Sequence, residues 1–189
     1  MTMPEYPVLP VIMPADIANA QNGMIDPKVL RPIQNKGQLH RNAATAWNAL
    51  QLSAYFAGIS LNPISDPDTY RNLDRQKTLF FSRYQDTPTS RTPAVTRKYD
   101  GKTWYLKPGV APAGSPGTSN HGWGLAVDVA NANGRTLDWM LQNCVKYGFT
   151  WEVKSGASAE AWHIRFVCGD TFPQAVLDAI AAFPQLDVR

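Results

Sequence analysis

Ser119-Asn120-His121-Gly122-Trp123-Gly124-Leu125-Ala126-Val127-Asp128-Val129 is the stretch on which the fold turns. Gly122 and Gly124 argue against a helix here, and the apolar run from Leu125 to Val129 reads as a short strand. Side chains alternate across a strand, so Leu125, Val127 and Val129 share one face and Ala126, Asp128 and Ala130 the other. Small neighbours leave room for a group to sit over Asp128. His121 falls in the turn before the strand, placed by the backbone freedom of the glycines.

Working outward, Glu160-Ala161-Trp162-His163-Ile164-Arg165-Phe166-Val167 reads as a second strand. Trp162, Ile164 and Phe166 are expected on its core face, with His163 and Arg165 on the wetter one. If the two strands lie in one sheet, Asp128 and His163 converge, with His121 beside them. Two imidazoles and a carboxylate suit a catalytic zinc site, which takes three protein ligands and keeps a fourth position open for water. Glu160, three residues before His163, has the wrong strand parity for another inward ligand. It is expected at the loop–strand junction, near the metal as a proton-transferring base.

Each residue also has a plainer reading. A histidine beside an apolar strand is commonly a hydrogen-bonded structural group, and a strand aspartate can pair with Lys or Arg. The pattern is unlike the helical H-E-x-x-H motif.

The block S-x-H followed by G-L-A-V-D-V, with E-x-W-H later, resembles the zinc peptidases that cut bacterial cell-wall peptides. These include the VanY-type D-Ala-D-Ala carboxypeptidases and the L-alanyl-D-glutamate endopeptidases of phage endolysins, in a wider group with lysostaphin-like enzymes and the hedgehog domain. Tyr70-Arg71-Asn72-Leu73-Asp74-Arg75-Gln76 is similar to the group's Y-R-S-x-x-x-Q block. The resemblance spans roughly Leu61 to Val167, with the three motifs in family order. It implies zinc on His121, Asp128 and His163, Glu160 as the base, Arg71 on the substrate carbonyl or carboxylate, and Ser119 in substrate binding. From the residues alone, Arg71 could equally pair with Asp68 or Asp74. Ala161 and Asn72 depart from the commonest family residues, Pro and Ser.

A chain of 189 residues suits one domain with a real core. Its net charge of +3 would assist approach to an anionic wall, and no basic run or RNA-binding motif points to nucleic acid. No apolar run approaches the roughly 18 residues of a membrane span. Cys144 and Cys168 are not spaced like a metal knuckle; a pair and two free thiols are both open. Met1 to Pro7 lacks the basic region of a secretory signal. That suggests release from the host cytoplasm to the wall as a phage lysin, carriage in a virion, or a domain cut from a longer chain.

Residues 1–35, punctuated by six prolines, are expected as an irregular lead-in and 36–189 as a single peptidase domain. A core helix is expected over Lys36 to Ile59, with His40 near its start as a surface or capping residue lacking a carboxylate partner. Further helices are expected over Asp74 to Tyr84, Gly134 to Tyr147 and Thr171 to Phe183, the last with Pro173 in its first turn. A strand is expected over Phe149 to Val153. Residues 85–118 are a long polar stretch bordering the site, with a hairpin around Asp100-Gly101 as lid or wall and Trp104 and Tyr105 as packing residues.

The expected architecture is α+β: a small, mainly antiparallel sheet carries the metal on one face and helices cover the other, as in the hedgehog and D-Ala-D-Ala peptidase-like group. The leading functional reading is a monomeric endolysin-type zinc endopeptidase acting on peptidoglycan peptides. A D,D-carboxypeptidase releasing terminal D-Ala is the alternative, and a non-catalytic wall-binding or signalling module with zinc is a third.

Overall fold

The computed structural model describes residues 5–189. Strands β1 (Leu30–Pro32) and β2 (Gln38–His40) form an antiparallel pair, and helix α1 (Arg41–Phe56) follows directly. α1 starts later than its periodicity suggests because Gln38 to His40 pair with Leu30 to Pro32. The alanines at 43, 46, 49 and 54 let neighbours approach, while Trp47 and Leu50 fill the space between layers without any exposure. Trp47 meets Phe149 edge-on at 6.0 Å. A buried aromatic of this size removes about 150–250 Å² from water, worth roughly 4–6 kcal/mol before entropy is charged.

Helix α2 (Leu73–Arg83) leads into a sheet of β3 (Tyr84–Gln85), β4 (Thr96–Tyr99) and β5 (Lys102–Leu106), ordered β3-β5-β4. Phe80, Tyr84 and Leu106 form a second, smaller core there. Trp104 packs against Phe80 and Phe81 and donates Nε1–H to the Tyr99 carbonyl, so it acts in packing.

The remaining elements are β6 (Ala126–Asp128), helix α3 (Gly134–Asn143), β7 (Phe149–Thr150), β8 (His163–Phe166) and helix α4 (Gln174–Ala182). Their sheet runs β6-β8-β7, antiparallel throughout. The architecture is α+β with small antiparallel sheets, as expected. α3 tightens into a 3-10 turn at Cys144–Tyr147, the strand expected over Phe149 to Val153 pairs only through Thr150, and Pro173 caps α4 from outside.

Three local expectations are corrected. Residues before 36 are not simply irregular: besides β1, Ile12 bridges Cys168 and Tyr6 stacks on Trp151 at 5.3 Å. His40 caps α1 by accepting the Asn42 N–H at 3.3 Å, but it is fully buried, and its Nε2 lies 2.9 Å from Asp16 Oδ1. Burial lowers its pKa despite that carboxylate, which sequence distance had hidden. Trp162 is 42% exposed, because β8 begins one residue later and the alternation does not reach it. Cys144 and Cys168 are both free thiols.

Candidate metal centre

His121 lies in a 3-10 turn, Asn120–Trp123, that runs straight into β6. Gly122 sits against the hydrogen-bonded Asn22–Gln76 pair: a Cβ there would fall 2.1 Å from Asn22 Oδ1 and 2.7 Å from Gln76 Nε2, so those side chains would have to move. Gly124 is required by conformation, with φ at 65° and the His40 amide nitrogen 2.9 Å from where its Cβ would be. The buried His121 ring places Nδ1 3.0 Å from the Thr69 carbonyl. A carbonyl can only accept, so Nδ1 carries a proton, which leaves Nε2 as the nitrogen able to give a lone pair to an ion. That Nε2 lies 3.2 Å from Asp128 Oδ2. Thr69 is itself fixed, its hydroxyl donating to the Asp66 carbonyl and accepting the Gln38 N–H.

Asp128 and His163 are directly opposed in the β6–β8 register. His163 Nδ1 lies 2.7 Å from Asp128 Oδ1. The two carboxylate oxygens are therefore divided between two imidazoles whose rings stand 5.0 Å apart at 71°. One donor atom from each of His121, Asp128 and His163 lies within 4.8 Å of the others. Metal–ligand bonds of about 2.0–2.2 Å put the donors of a tetrahedral ion roughly 3–4 Å apart. Nitrogen and oxygen donors converging at this spacing fit a divalent transition ion.

Without an ion, the charges lean on one another. Burial opposes the Asp128 charge, but hydrogen bonds from both imidazoles outweigh it and hold the carboxyl well below the usual range. Burial likewise opposes charge on His163, but Asp128 and Glu152 prevail, and its pKa is pushed up to about 9. A cation in the centre would replace those protons.

A groove of about 460 Å³ opens over the three donors, lined also by Arg71, Ser119, Glu160 and Trp162. Arg71 donates Nε–H to the Pro67 carbonyl at 2.9 Å and pairs with Asp68 at 3.2 Å, the neighbour that competed for it in the sequence. Its backbone N–H donates to the His121 carbonyl, tying it to the Asn120–Trp123 turn. Ser119 caps that turn through its backbone, and its hydroxyl makes no hydrogen bond among the described residues. Glu160 is exposed at the groove edge, and its carboxylate has no hydrogen bond or ion pair among the described residues. The groove wall contributed by the long polar stretch is Ala111 to Gly114 and Thr118, whereas the 100–101 hairpin stands away.

Several site residues had no role in the sequence reading. Gln76, buried within the Arg71 block, donates to Asn22 Oδ1 and the Arg71 carbonyl and accepts the Gly117 N–H. It thereby staples the lead-in, the Arg71 backbone and the groove loop. Asn22 donates to the Ser119 carbonyl. Glu152 lines the groove beside His163, with Oε1 3.4 Å from Nε2. Its signal was a lone charge in a segment otherwise read as strand.

The family model for VanY D-alanyl-D-alanine carboxypeptidases matches residues 36–169. The chain belongs to the VanY family. A D-alanyl-D-alanine carboxypeptidase of Enterococcus faecalis (strain ATCC 700802 / V583) is 27% identical over 110 residues, covering 52% of this chain and 38% of the relative. The matched region is thus well under half of that relative's length. A vancomycin-resistance D,D-pentapeptidase VanY variant in complex with Zn(II) superposes with a TM-score of 0.47 at 20% identity, over 73% of this chain and 78% of that one. VanYB in complex with D-alanine-D-alanine gives 0.48 at 19% identity, over 82% of each chain. Within the VanY match lie all six residues singled out for the site: Arg71, Ser119, His121, Asp128, Glu160 and His163.

Proposed function

We propose that the chain is a zinc-dependent D,D-carboxypeptidase that removes terminal D-Ala from peptidoglycan stem peptides. The observation that carries this reading is the convergence of His121 Nε2, Asp128 and His163 Nδ1 in a groove that also holds the half-buried guanidinium of Arg71 and the carboxylate of Glu160, which has no partner among the described residues. Membership of a family described as D-alanyl-D-alanine carboxypeptidases supports the carboxypeptidase over the endolysin-type endopeptidase that headed the sequence reading.

His121, Asp128 and His163 would hold the ion. Zinc, when bound, supplies a Lewis acid able to polarise a carbonyl oxygen. Glu160 takes a proton from the attacking water as its oxygen bonds to the peptide carbonyl carbon. When the C–N bond breaks, Glu160 returns that proton to the leaving D-Ala amine, so it ends the cycle ionised. The freedom of its carboxylate suits a group that must lose and regain a proton. Arg71 supplies a fixed positive charge for the terminal carboxylate, the feature that separates the end of a chain from its interior. The unengaged Ser119 hydroxyl offers a further hydrogen bond to substrate.

Purified pentapeptide and intact peptidoglycan, digested with and without chelator and read by mass spectrometry, test the reading. Chelator-sensitive release of free D-Ala is expected. Cuts within the stem or cross-link without D-Ala release would restore the endopeptidase. No hydrolysis by the zinc-loaded chain would favour the non-catalytic module.

A further inference from the structure

We propose that Glu152 is the positioning residue of the metal centre: its carboxylate fixes which ring nitrogen of His163 faces the ion. This rests on the reading of His121, Asp128 and His163 as ligands.

Each ligand histidine has an inner nitrogen toward Asp128 and an outer nitrogen facing away. For His121 the outer atom is Nδ1, held by the Thr69 carbonyl. For His163 the outer atom is Nε2, and what faces it is Glu152 Oε1 at 3.4 Å. An imidazole that gives its Nδ1 lone pair to a metal must carry its remaining proton on Nε2. That N–H then needs an acceptor, and a carboxylate is the strongest one the chain can provide.

Glu152 is also braced for the task. Asn120, adjacent to ligand His121, donates its side-chain amide to Glu152 Oε2. Arg165, two residues beyond His163 on β8, places Nη1 3.6 Å from Oε1. Glu152 therefore ties the His121 turn to the His163 strand. Glu152 Oε1, His163 Nε2 and Arg165 Nε are buried and make no hydrogen bond among the described residues. Three such atoms in one cluster mark a site poised to align once Nδ1 is occupied and Nε2 is committed as donor. The same bracing separates the two groove glutamates in role: Glu152 is held by Asn120 and Arg165, and Glu160 has no hydrogen bond or ion pair among the described residues.

The test measures zinc affinity by chelator competition for the wild type, E152Q and E152A, with the melting temperature of each metal-free protein. E152A is expected to bind zinc 10–100-fold more weakly, the usual cost of losing an outer partner of a metal-binding histidine. E152Q, which keeps an acceptor and loses the charge, should fall between. The metal-free melting temperatures should not follow that order. Nitrogen NMR of the zinc-loaded wild type should show His163 protonated on Nε2, with that proton signal displaced in E152Q. If both variants bind zinc within threefold of the wild type, or His163 carries its proton on Nδ1, the proposal is overturned. Should E152A fail to fold, E152Q decides alone. A wild type that binds no zinc would instead overturn the metal-centre reading beneath it.

Discussion

Asp128 and His163 are Cα partners across the β6–β8 pair, and their side chains meet at 2.7 Å on the groove side of the sheet. The pairing register thus brings together two of the three converging donors. A slip of one residue would turn either side chain to the opposite face, so folding and site assembly are one event.

If Glu160 is the proton carrier, E160Q should lower kcat by about 10²–10⁴-fold, the usual contribution of a general base. Zinc affinity should not change, because the carboxylate is not among the converging donors. Steady-state D-Ala release together with zinc titration checks this. Wild-type turnover by E160Q would remove Glu160 from the mechanism.

Metal removal should abolish D-Ala release, and zinc should restore it. Zinc binding to the folded chain alone should also stabilise it, by about 2.7 kcal/mol at a free concentration 100 times Kd. H121A should lose that gain. Thermal melts across a zinc titration give the answer; an H121A protein stabilised as strongly as the wild type would refute His121 as a ligand.

The metal-free protein should show one histidine titrating near pH 9, namely His163, against its ordinary value of 6.5. A folded pKa raised above the unfolded one contributes stability that is complete below about 6.5 and lost as pH rises through about 9. Metal-free protein should therefore become less stable across that window, as seen by urea unfolding at several pH values. A His163 midpoint near 6.5 by NMR would contradict it.

A methyl group at Gly122 would displace the Asn22–Gln76 pair, since Asn22 Oδ1 would lie 2.1 Å from the added carbon. Gly122→Ala is expected to cost about 1–3 kcal/mol by overpacking. It should also weaken zinc binding, because the displaced turn carries His121. Urea midpoints and zinc affinity should fall together, and unchanged values for both would show that the turn adapts.

R71A should raise KM for peptides ending in a free carboxylate, with kcat/KM falling about 10–100-fold for a lost charged hydrogen bond of roughly 1.5–3 kcal/mol. R71K should recover little, because a lysine cannot present the planar fork that now reaches Pro67 and Asp68. An equal loss on a C-terminally amidated peptide would assign Arg71 to the carbonyl instead.

Much of this was legible in the chain because it is local. Alternation placed Val127 and Ile164 in the core and set Asp128 and His163 apart from them. The Asp100-Gly101 turn and the core helix α1 were equally readable, since each follows from spacing within one element. Failures came where a partner lay far off in sequence. His40 looked unpartnered because Asp16 is 24 residues away, and α1 lost its first turn to pairing with β1. Glu152 had no visible role because its neighbours Asn120 and His163 come from other segments.

By itself, the sequence determined which donors exist, in what order, and on which face of each short strand they stand, because those properties depend only on residue type and backbone period. Only the tertiary structure decided that His121, Asp128 and His163 share one small volume, that Thr69 and Glu152 face the outer ring nitrogens, and that Glu152 is tied while Glu160 has no partner among the described residues. Those are distances between segments up to 94 residues apart, as between Thr69 and His163. They are fixed by sheet register and core packing, which no single stretch of the chain contains.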